Sequence, residues 1–180
     1  ASSSFGYGSA MKENLAGIED YTRIGSLLQP EQIVKYGELT LRENQIAYAE
    51  PSFFRLFDFE LLKGDKKTCL SMPGQVVITE RIASKYFKDE DPIGKIFIFT
   101  GAYDKISCEV TGVMKEMPSN SHIHYSFLIS YKSLPKYMQE YWYKHEAYTY
   151  VLLDSPERKA EIEREFPVMA EKYKTDEALK

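Results

Sequence analysis

The 180-residue chain has the composition of a folded protein, with 43% hydrophobic and 28% charged residues, and its length allows one substantial core. Its net charge of −4, with no run of more than two basic residues, argues against nucleic acid as a partner, because nucleic-acid binding depends on phosphate neutralisation. The sequence contains no apolar run of the roughly 20 residues that a membrane-spanning helix needs.

The first half of the chain predicts a flexible start followed by short elements. Residues 1–10, ASSSFGYGSA, are small and polar, so we expect a flexible lead-in before the core. Hydrophobic spacing and turn residues then predict, in order, a helix over residues 11–17, a strand over 21–28, a hairpin of 32–36 with 39–49, a short helix FFRLF after Pro51, and a segment 59–63 that ends in a turn at Gly64-Asp65.

The clearest local pattern is a strand, helix and turn over residues 76–94, VVITERIASKYFKDEDPIG. The Thr79 side-chain oxygen can cap the start of the helix, and Glu80 suits the positive end of the helix dipole. Ordinary helical spacing separates an apolar face from a polar one. The apolar face holds Ile82, Ala83, Tyr86 and Phe87, and the polar face holds Arg81, Ser84, Lys85 and Lys88. The sequence DPIG at 91–94 predicts a turn.

The second half of the chain predicts mainly strands. The first is a nearly continuous apolar strand over residues 95–100, which we expect to be covered on both of its faces. An alternating strand follows over 105–114, another over 122–130, and a last strand over 147–153. A helix is expected over 133–141, and a final helical segment should begin at Ser155 and be kinked or split by Pro167. These elements together predict an α+β fold, with a mixed, mostly antiparallel sheet that carries helices mainly on one side.

Motifs that support catalysis or cofactor binding are absent from the sequence. It has no glycine-rich phosphate loop, no G-x-S-x-G elbow, no H-E-x-x-H and no C-x-x-C. We therefore expect no catalytic residues, no cofactor and no enzymatic activity, and the missing Walker motif excludes ATP hydrolysis by this part of the chain.

Two side-chain clusters suggest metal binding but favour a simpler interpretation. His122 and His124 lie on the same side of a predicted strand, with Glu116 as a conceivable third ligand. Two ligands without an evident third make no site, so we expect a polar strand face instead. The acidic residues 89–91 lack the ligand spacing of a calcium loop and indicate a solvated helix exit. No metal site is predicted.

The two cysteines, Cys69 and Cys108, leave two alternatives open. They are either two separate, partly buried thiols or one disulfide, which an oxidising compartment would permit. Spacing alone does not choose between them.

An aromatic segment, YMQEYWYKHEAYTY at residues 137–150, holds five tyrosines and the only tryptophan of the chain. Amphipathic aromatic side chains are enriched at contact surfaces, but they also pack against sheets, and the end of this segment is predicted to be a strand. The predicted partner-contact patch consists of Tyr137, Tyr141, Trp142 and Tyr143.

Five blocks of the sequence follow one another along the chain: ENLAGIEDYTRI, AEPSFFRLFDFELLKGD, TERIASKYF followed by DPIGK, VTGVMKEMPSNSHIHYSFLIS and AYTYVLL. In this order they resemble the MacB-like periplasmic core domain, and TERIASKYF with DPIGK looks like a signature of it. That domain is the extracytoplasmic insert between the first two membrane helices of FtsX/MacB-type ABC permeases. The resemblance therefore spans nearly the whole chain.

The resemblance implies a two-lobed core domain over residues 11–180. A porter-like lobe would come from 11–51 and 118–180, and an inserted, mostly β lobe from about 52–117. It also implies a place on the periplasmic face of the bacterial inner membrane, with flanking membrane helices that lie outside the given sequence. The given sequence, which contains no such helices, would by itself suggest a cytosolic protein. Because of the resemblance, we expect a periplasmic location instead.

The resemblance further implies transmission of ATP-driven motion to a substrate or periplasmic partner, without an active site. The expected partners are the permease's own membrane helices and a separate ATP-binding subunit or domain, with a periplasmic adaptor or lipoprotein as a further candidate. The alternative function is a small-ligand- or peptide-binding module without catalysis, which requires a concave pocket with a few polar groups.

Overall fold

A computed structural model describes residues 3–25, 31–101, 105–139 and 147–178, with side chains as far as Tyr173. The helices are α1 (Tyr7–Asn14), α2 (Phe53–Leu56), α3 (Glu80–Phe87), α4 (Lys136–Gln139) and α5 (Arg158–Ala178), with a 3-10 turn at Tyr131–Ser133. The strands are β1 (Ile18–Gly25), β2 (Gln32–Tyr36), β3 (Leu39–Glu43), β4 (Ile46–Ala49), β5 (Leu61–Lys63), β6 (Gln75–Thr79), β7 (Ile96–Thr100), β8 (Lys105–Met114), β9 (Phe127–Ser130) and β10 (Ala147–Leu153).

All of these strands join one ten-stranded sheet in the order β10-β1-β4-β9-β6-β8-β7-β2-β3, with β5 paired to β8. Within the described part of the chain, only the pairs β4–β9 and β6–β8 run parallel. The remaining pairs are antiparallel, which short connections such as the β2–β3 turn allow. The predicted α+β fold with a mostly antiparallel mixed sheet is therefore confirmed.

Alternating side chains divide the core between the two faces of this sheet. On β6, Val76 and Ile78 belong to one buried cluster and Val77 belongs to another. Helix α3 covers the first face, and α2 lies on the second. Helices α1 and α5 pack with Val151 and Leu153 of β10, which point the same way as Ala147 of the first cluster. Three of these four helices thus share one face, as the sequence predicts.

The strand, helix and turn over residues 76–94 form as the local sequence dictates. The Thr79 oxygen accepts a hydrogen bond from the Ile82 amide, and Ile82, Tyr86 and Phe87 are buried. In the turn that follows, Gly94 takes a φ of +81°, where a residue with a Cβ would be strained. The predicted cap, apolar helix face and turn are confirmed.

Residues 4–10 are not the flexible lead-in that the sequence predicts. Phe5 is 1% exposed and packs its ring 5.8 Å from that of Tyr131, and α1 begins at Tyr7. A Cβ on Gly8 would lie 2.6 Å from the Tyr21 ring, so glycine here permits close packing against β1. The prediction was wrong because it took small residues as a sign of flexibility. One of them, Gly8, instead allows α1 to pack closely against β1.

Helix α1 covers Tyr7–Asn14 instead of the predicted 11–17, and several other elements also differ from prediction. The expected strand over 39–49 is two strands, because the chain turns at Gln45, whose φ is +57°, to reach another part of the sheet. The apolar β7 is covered on one face only, since Ile96 is 50% exposed. Strand β9 begins at Phe127 instead of residue 122, and α5 runs through Pro167 as one helix. Of the helix predicted over 133–141, only Lys136–Gln139 is α-helical within the described residues, as α4, and residues 140–146 lie outside the described chain.

The sheet continues across the predicted lobe boundaries. Strands β6, β8 and β7, from the predicted inserted lobe of residues 52–117, lie between β9 on one side and β2 on the other. Both of those neighbours belong to the predicted porter-like lobe. The division of the chain into a porter-like lobe and an inserted lobe stays a prediction.

Both cysteines are free and lie in different core clusters, Cys108 in the first and Cys69 in the second. Burial raises the pKa of the Cys69 thiol to about 11 and that of Cys108 to about 12. We expect both thiols to resist a disulfide-exchange reagent at pH 8 in the folded protein, because the thiolate is the nucleophile. Mass spectrometry should show two alkylated cysteines after denaturation without reductant. A disulfide-linked mass there would contradict the structure.

Candidate functional site

The predicted partner-contact patch is only partly described. Tyr137 lies on α4 and is 74% exposed, while Tyr141, Trp142 and Tyr143 lie outside the described residues. The end of the aromatic segment belongs to β10, where Tyr150 packs its ring edge-on against Phe57 at 4.9 Å. Tyr150 contributes to sheet packing, and the contact role of the four patch residues stays a prediction.

A buried arginine stands beside this segment and connects four parts of the chain. Arg23 of β1 is 4% exposed and donates through Nη1 to the carbonyls of Phe5, at 2.6 Å, and Gln139, at 3.0 Å. Its Nη2 lies 2.7 Å from the Glu50 carboxylate, and its guanidinium stacks 4.3 Å from the Tyr131 ring centre. We call these five residues the Arg23 hub.

The electrostatics of the hub keep Arg23 charged. Burial alone would lower the pKa of Arg23, but the hydrogen bond and charge of Glu50 raise it above its usual value. Glu50 also accepts the Arg23 backbone amide at 2.8 Å, so the carboxylate has two donors. Because Tyr131 donates to the same Gln139 carbonyl at 2.7 Å, the hub fixes the residue from which the aromatic segment continues.

An open cleft with a volume of about 590 Å³ lies beside the hub. Its walls come from the β1 strand, the β4–α2 connection and the loop after β5. Ser52 holds the connection to β1 by donating to the Tyr21 carbonyl at 2.6 Å. The lining consists of Asp20, Tyr21, Glu50, Pro51, Ser52, Phe54, Arg55, Lys66 and Lys67.

The charges around the cleft are unequally compensated. Glu50 is paired with Arg23, and Asp20 is paired with Arg55. Lys66 lies 3.5 Å from Asp58, whose side chain is fully exposed. Within the described residues, the Lys67 ammonium has no hydrogen-bond or ion-pair partner. The cleft therefore presents net positive charge from the lysine side.

Two of the three side chains that suggested a zinc site, His122 and Glu116, have other partners, and His124 is exposed. His122 Nε2 lies 3.0 Å from the Tyr150 hydroxyl, and Glu116 pairs with Arg81. In the acidic run, Glu90 and Asp91 bind Lys95 and Lys63, which lower the pKa of both carboxyls. Over the stretches of chain that the structure covers, no three His, Cys, Asp or Glu residues cluster as metal ligands do.

The two ends of the described chain meet in a third apolar cluster. The rings of Tyr7 on α1 and Phe166 on α5 lie 5.2 Å apart, and Asn14 donates to the Tyr173 hydroxyl at 2.8 Å. The buried stripe of α5 includes Ile162 and Met169. None of the helices in the described ranges is both long enough and apolar enough to cross a membrane.

Sequence reasoning missed the hub and the cleft. One signal was available, since Arg23 and Glu50 are charged residues at positions within or next to predicted strands, and buried charges require partners. Their partners come from distant parts of the chain, which periodicity does not reveal.

A family comparison shows what kind of domain carries these features. The model of the MacB-like periplasmic core domain matches residues 2–167. The chain belongs to this family. MacB-like periplasmic core domains are parts of ABC transporter permeases, not catalytic enzymes, in agreement with the resemblance seen in the sequence blocks. The comparison with curated proteins gave no match.

Solved structures share the fold of this MacB-like domain at low sequence identity. A domain of a protein described as a permease, from Porphyromonas gingivalis, is 22% identical with a TM-score of 0.80, over 95% of this chain and 71% of that one. The periplasmic region of MacB from Actinobacillus actinomycetemcomitans is 16% identical with a TM-score of 0.67, over 97% and 75%. The extracellular domain of the noncanonic ABC-type transporter YknZ from Gram-positive bacteria is 14% identical with a TM-score of 0.60, over 86% and 76%.

Proposed function

We propose that this MacB-like domain transmits nucleotide-driven motion of an ABC permease to a substrate or partner on the periplasmic side of the inner membrane. In this proposal, membrane helices flanking the domain anchor it, and a separate ATP-binding subunit or domain supplies the motion. The domain itself catalyses no reaction. It passes movement from its membrane-proximal end to the surface of the domain that lies farthest from the membrane.

The observation that carries the proposal is the direct packing of α1 against α5. These helices lie near the two ends of the described chain, and their contacts include the Tyr7–Phe166 and Asn14–Tyr173 pairs. An insert between two membrane helices receives any movement through its two end segments. Because those segments pack together, a displacement of either one is passed to the other, since close-packed protein interiors transmit strain.

The Arg23 hub offers a route from these helices to the predicted partner patch. The segment leading into α1 bonds Arg23 through the Phe5 carbonyl, and Arg23 bonds the Gln139 carbonyl at the start of the undescribed aromatic stretch. A shift of α1 would therefore move this anchor. We propose that Tyr137, Tyr141, Trp142 and Tyr143 form the surface that contacts a periplasmic adaptor or lipoprotein.

A nucleotide-dependent distance measurement tests the proposal. The complete permease with its ATP-binding subunit is placed in nanodiscs, with a donor dye at Lys35 of β2 and acceptor dyes on the lipid headgroups. We expect the donor–acceptor distance to change between nucleotide-free and ATP-bound states. Met169→Ala, which removes a buried contact of α5, should reduce this change while ATP hydrolysis continues.

Arg164→Ala is the matched control, because Arg164 lies on the exposed side of α5. It should leave the distance change intact. Circular dichroism shows whether the Met169→Ala domain remains folded. An unchanged distance in the wild-type permease, with ATP hydrolysis running, contradicts the proposed transmission of motion.

A further inference from the structure

We infer that the cleft beside the Arg23 hub binds a small ligand with an anionic group on an apolar stem. This goes beyond motion transmission, because the site can be tested on the domain alone and does not require that the domain move. It also differs from the aromatic segment, which lies on α4 and the residues after it.

The size and composition of the cleft suit such a ligand. Its volume of about 590 Å³ falls within the roughly 300–1,000 Å³ that small-molecule sites occupy. Phe54, which is 4% exposed, and Pro51 provide apolar lining next to the charged residues. An apolar stem that packs against these two side chains would be removed from contact with water, which favours binding.

The uncompensated charge determines the sign of the ligand. Both carboxylates of the cleft already have guanidinium partners, Glu50 in Arg23 and Asp20 in Arg55. Lys67 has no partner within the described residues, and Lys66 has only an exposed carboxylate at 3.5 Å. A ligand cation would find both lining carboxylates already paired with guanidinium groups, whereas a carboxylate or phosphate would find the Lys67 ammonium and, next to it, the partly exposed Lys66.

The cleft is also held in shape before any ligand binds. The Glu50 side chain is 13% exposed and accepts both the Arg23 amide and its guanidinium. The Ser52 hydroxyl bonds the Tyr21 carbonyl across the cleft wall. A preformed site loses less conformational entropy on binding, and this one shares Glu50 with the Arg23 hub.

Titration of the folded domain with defined probes tests the site. The anionic probes are octanoate and octyl phosphate, and the neutral probe with the same stem is octyl glucoside. Two peptides, acetyl-Leu-Leu-Leu with a free carboxylate and the same peptide with a C-terminal amide, show whether the anionic group of the ligand is a peptide C-terminus. The alkyl probes show whether it belongs to an alkyl anion. Amide chemical shifts locate each probe, and we expect perturbations at residues 50–55 and 66–67.

The variants measure the role of the lysines. The double variant Lys66→Gln with Lys67→Gln should weaken the binding of the anionic probes about tenfold or more, because charge-assisted contacts to the head group are lost. Lys35→Gln, an exposed lysine on β2 far along the sheet, should leave affinity unchanged. Stronger binding of the alkyl anions or of the carboxylate peptide supports the site and identifies its source. Equal binding of octyl glucoside, perturbations elsewhere, no binding, or full affinity of the double variant overturns it.

Discussion

Replacing Arg23 with methionine should lower the free energy of unfolding by about 3–5 kcal/mol, because a buried ion pair that loses one partner leaves an uncompensated charge. The Glu50 carboxylate would keep no guanidinium donor, and the Phe5 and Gln139 carbonyls would each lose a hydrogen bond. Methionine keeps most of the apolar stem, so the loss reports the polar contacts. Urea denaturation followed by circular dichroism measures it.

An exposed ion pair provides the control for this experiment. Arg42 lies 3.7 Å from Glu31, and its side chain is 76% exposed. Arg42→Met should change stability by less than about 1 kcal/mol, since exposed pairs contribute little. The double variant Arg23→Met with Glu50→Met should recover part of the loss, because it removes the stranded carboxylate. Equal midpoints for Arg23→Met and Arg42→Met would show that the hub is not a stabilising centre.

Phe87→Ala should cost about 3–5 kcal/mol, because it empties a site in the centre of an aromatic cluster. Phe87 is 4% exposed, and its ring centre lies 4.6 Å from that of Tyr36 and 5.4 Å from that of Phe97. These rings join α3 to β2 and β7, so the cavity would loosen three elements. Ser84→Ala, on the exposed side of the same helix, is the control and should be near neutral.

For Lys85, the structure and the sequence predict different effects of an alanine substitution on stability. Its place on the polar face of α3 predicts a neutral effect of alanine. The structure shows its Nζ at 2.6 Å from the buried carboxylate of Glu43, which also accepts the Tyr86 hydroxyl at 2.8 Å. Lys85→Ala should therefore cost about 1 kcal/mol, between the values for Phe87→Ala and Ser84→Ala. Phe87→Ala and Ser84→Ala with the same denaturation midpoint would mean that the buried face is misassigned.

Local sequence determined the elements whose signals lie within a few residues. The Thr79 cap, the apolar face of α3 and the alternation of β8 were all predictable, because each depends on neighbours along one helix or strand. The bounds of β10 were predicted for the same reason. The collinear blocks also sufficed to recognise the family, since their order along the chain does not depend on how they pack.

Only the tertiary structure decided the sheet order, the burial of residues 4–10, the Arg23 hub and the cleft. Arg23 and Gln139 are 116 positions apart, and the cleft combines residues from Asp20 to Lys67. Contacts of this kind form when distant segments are brought together by core packing, and no periodicity in the sequence encodes them. Arg23 would be solvated on an edge strand, and it becomes the centre of a hub because β1 lies between β10 and β4.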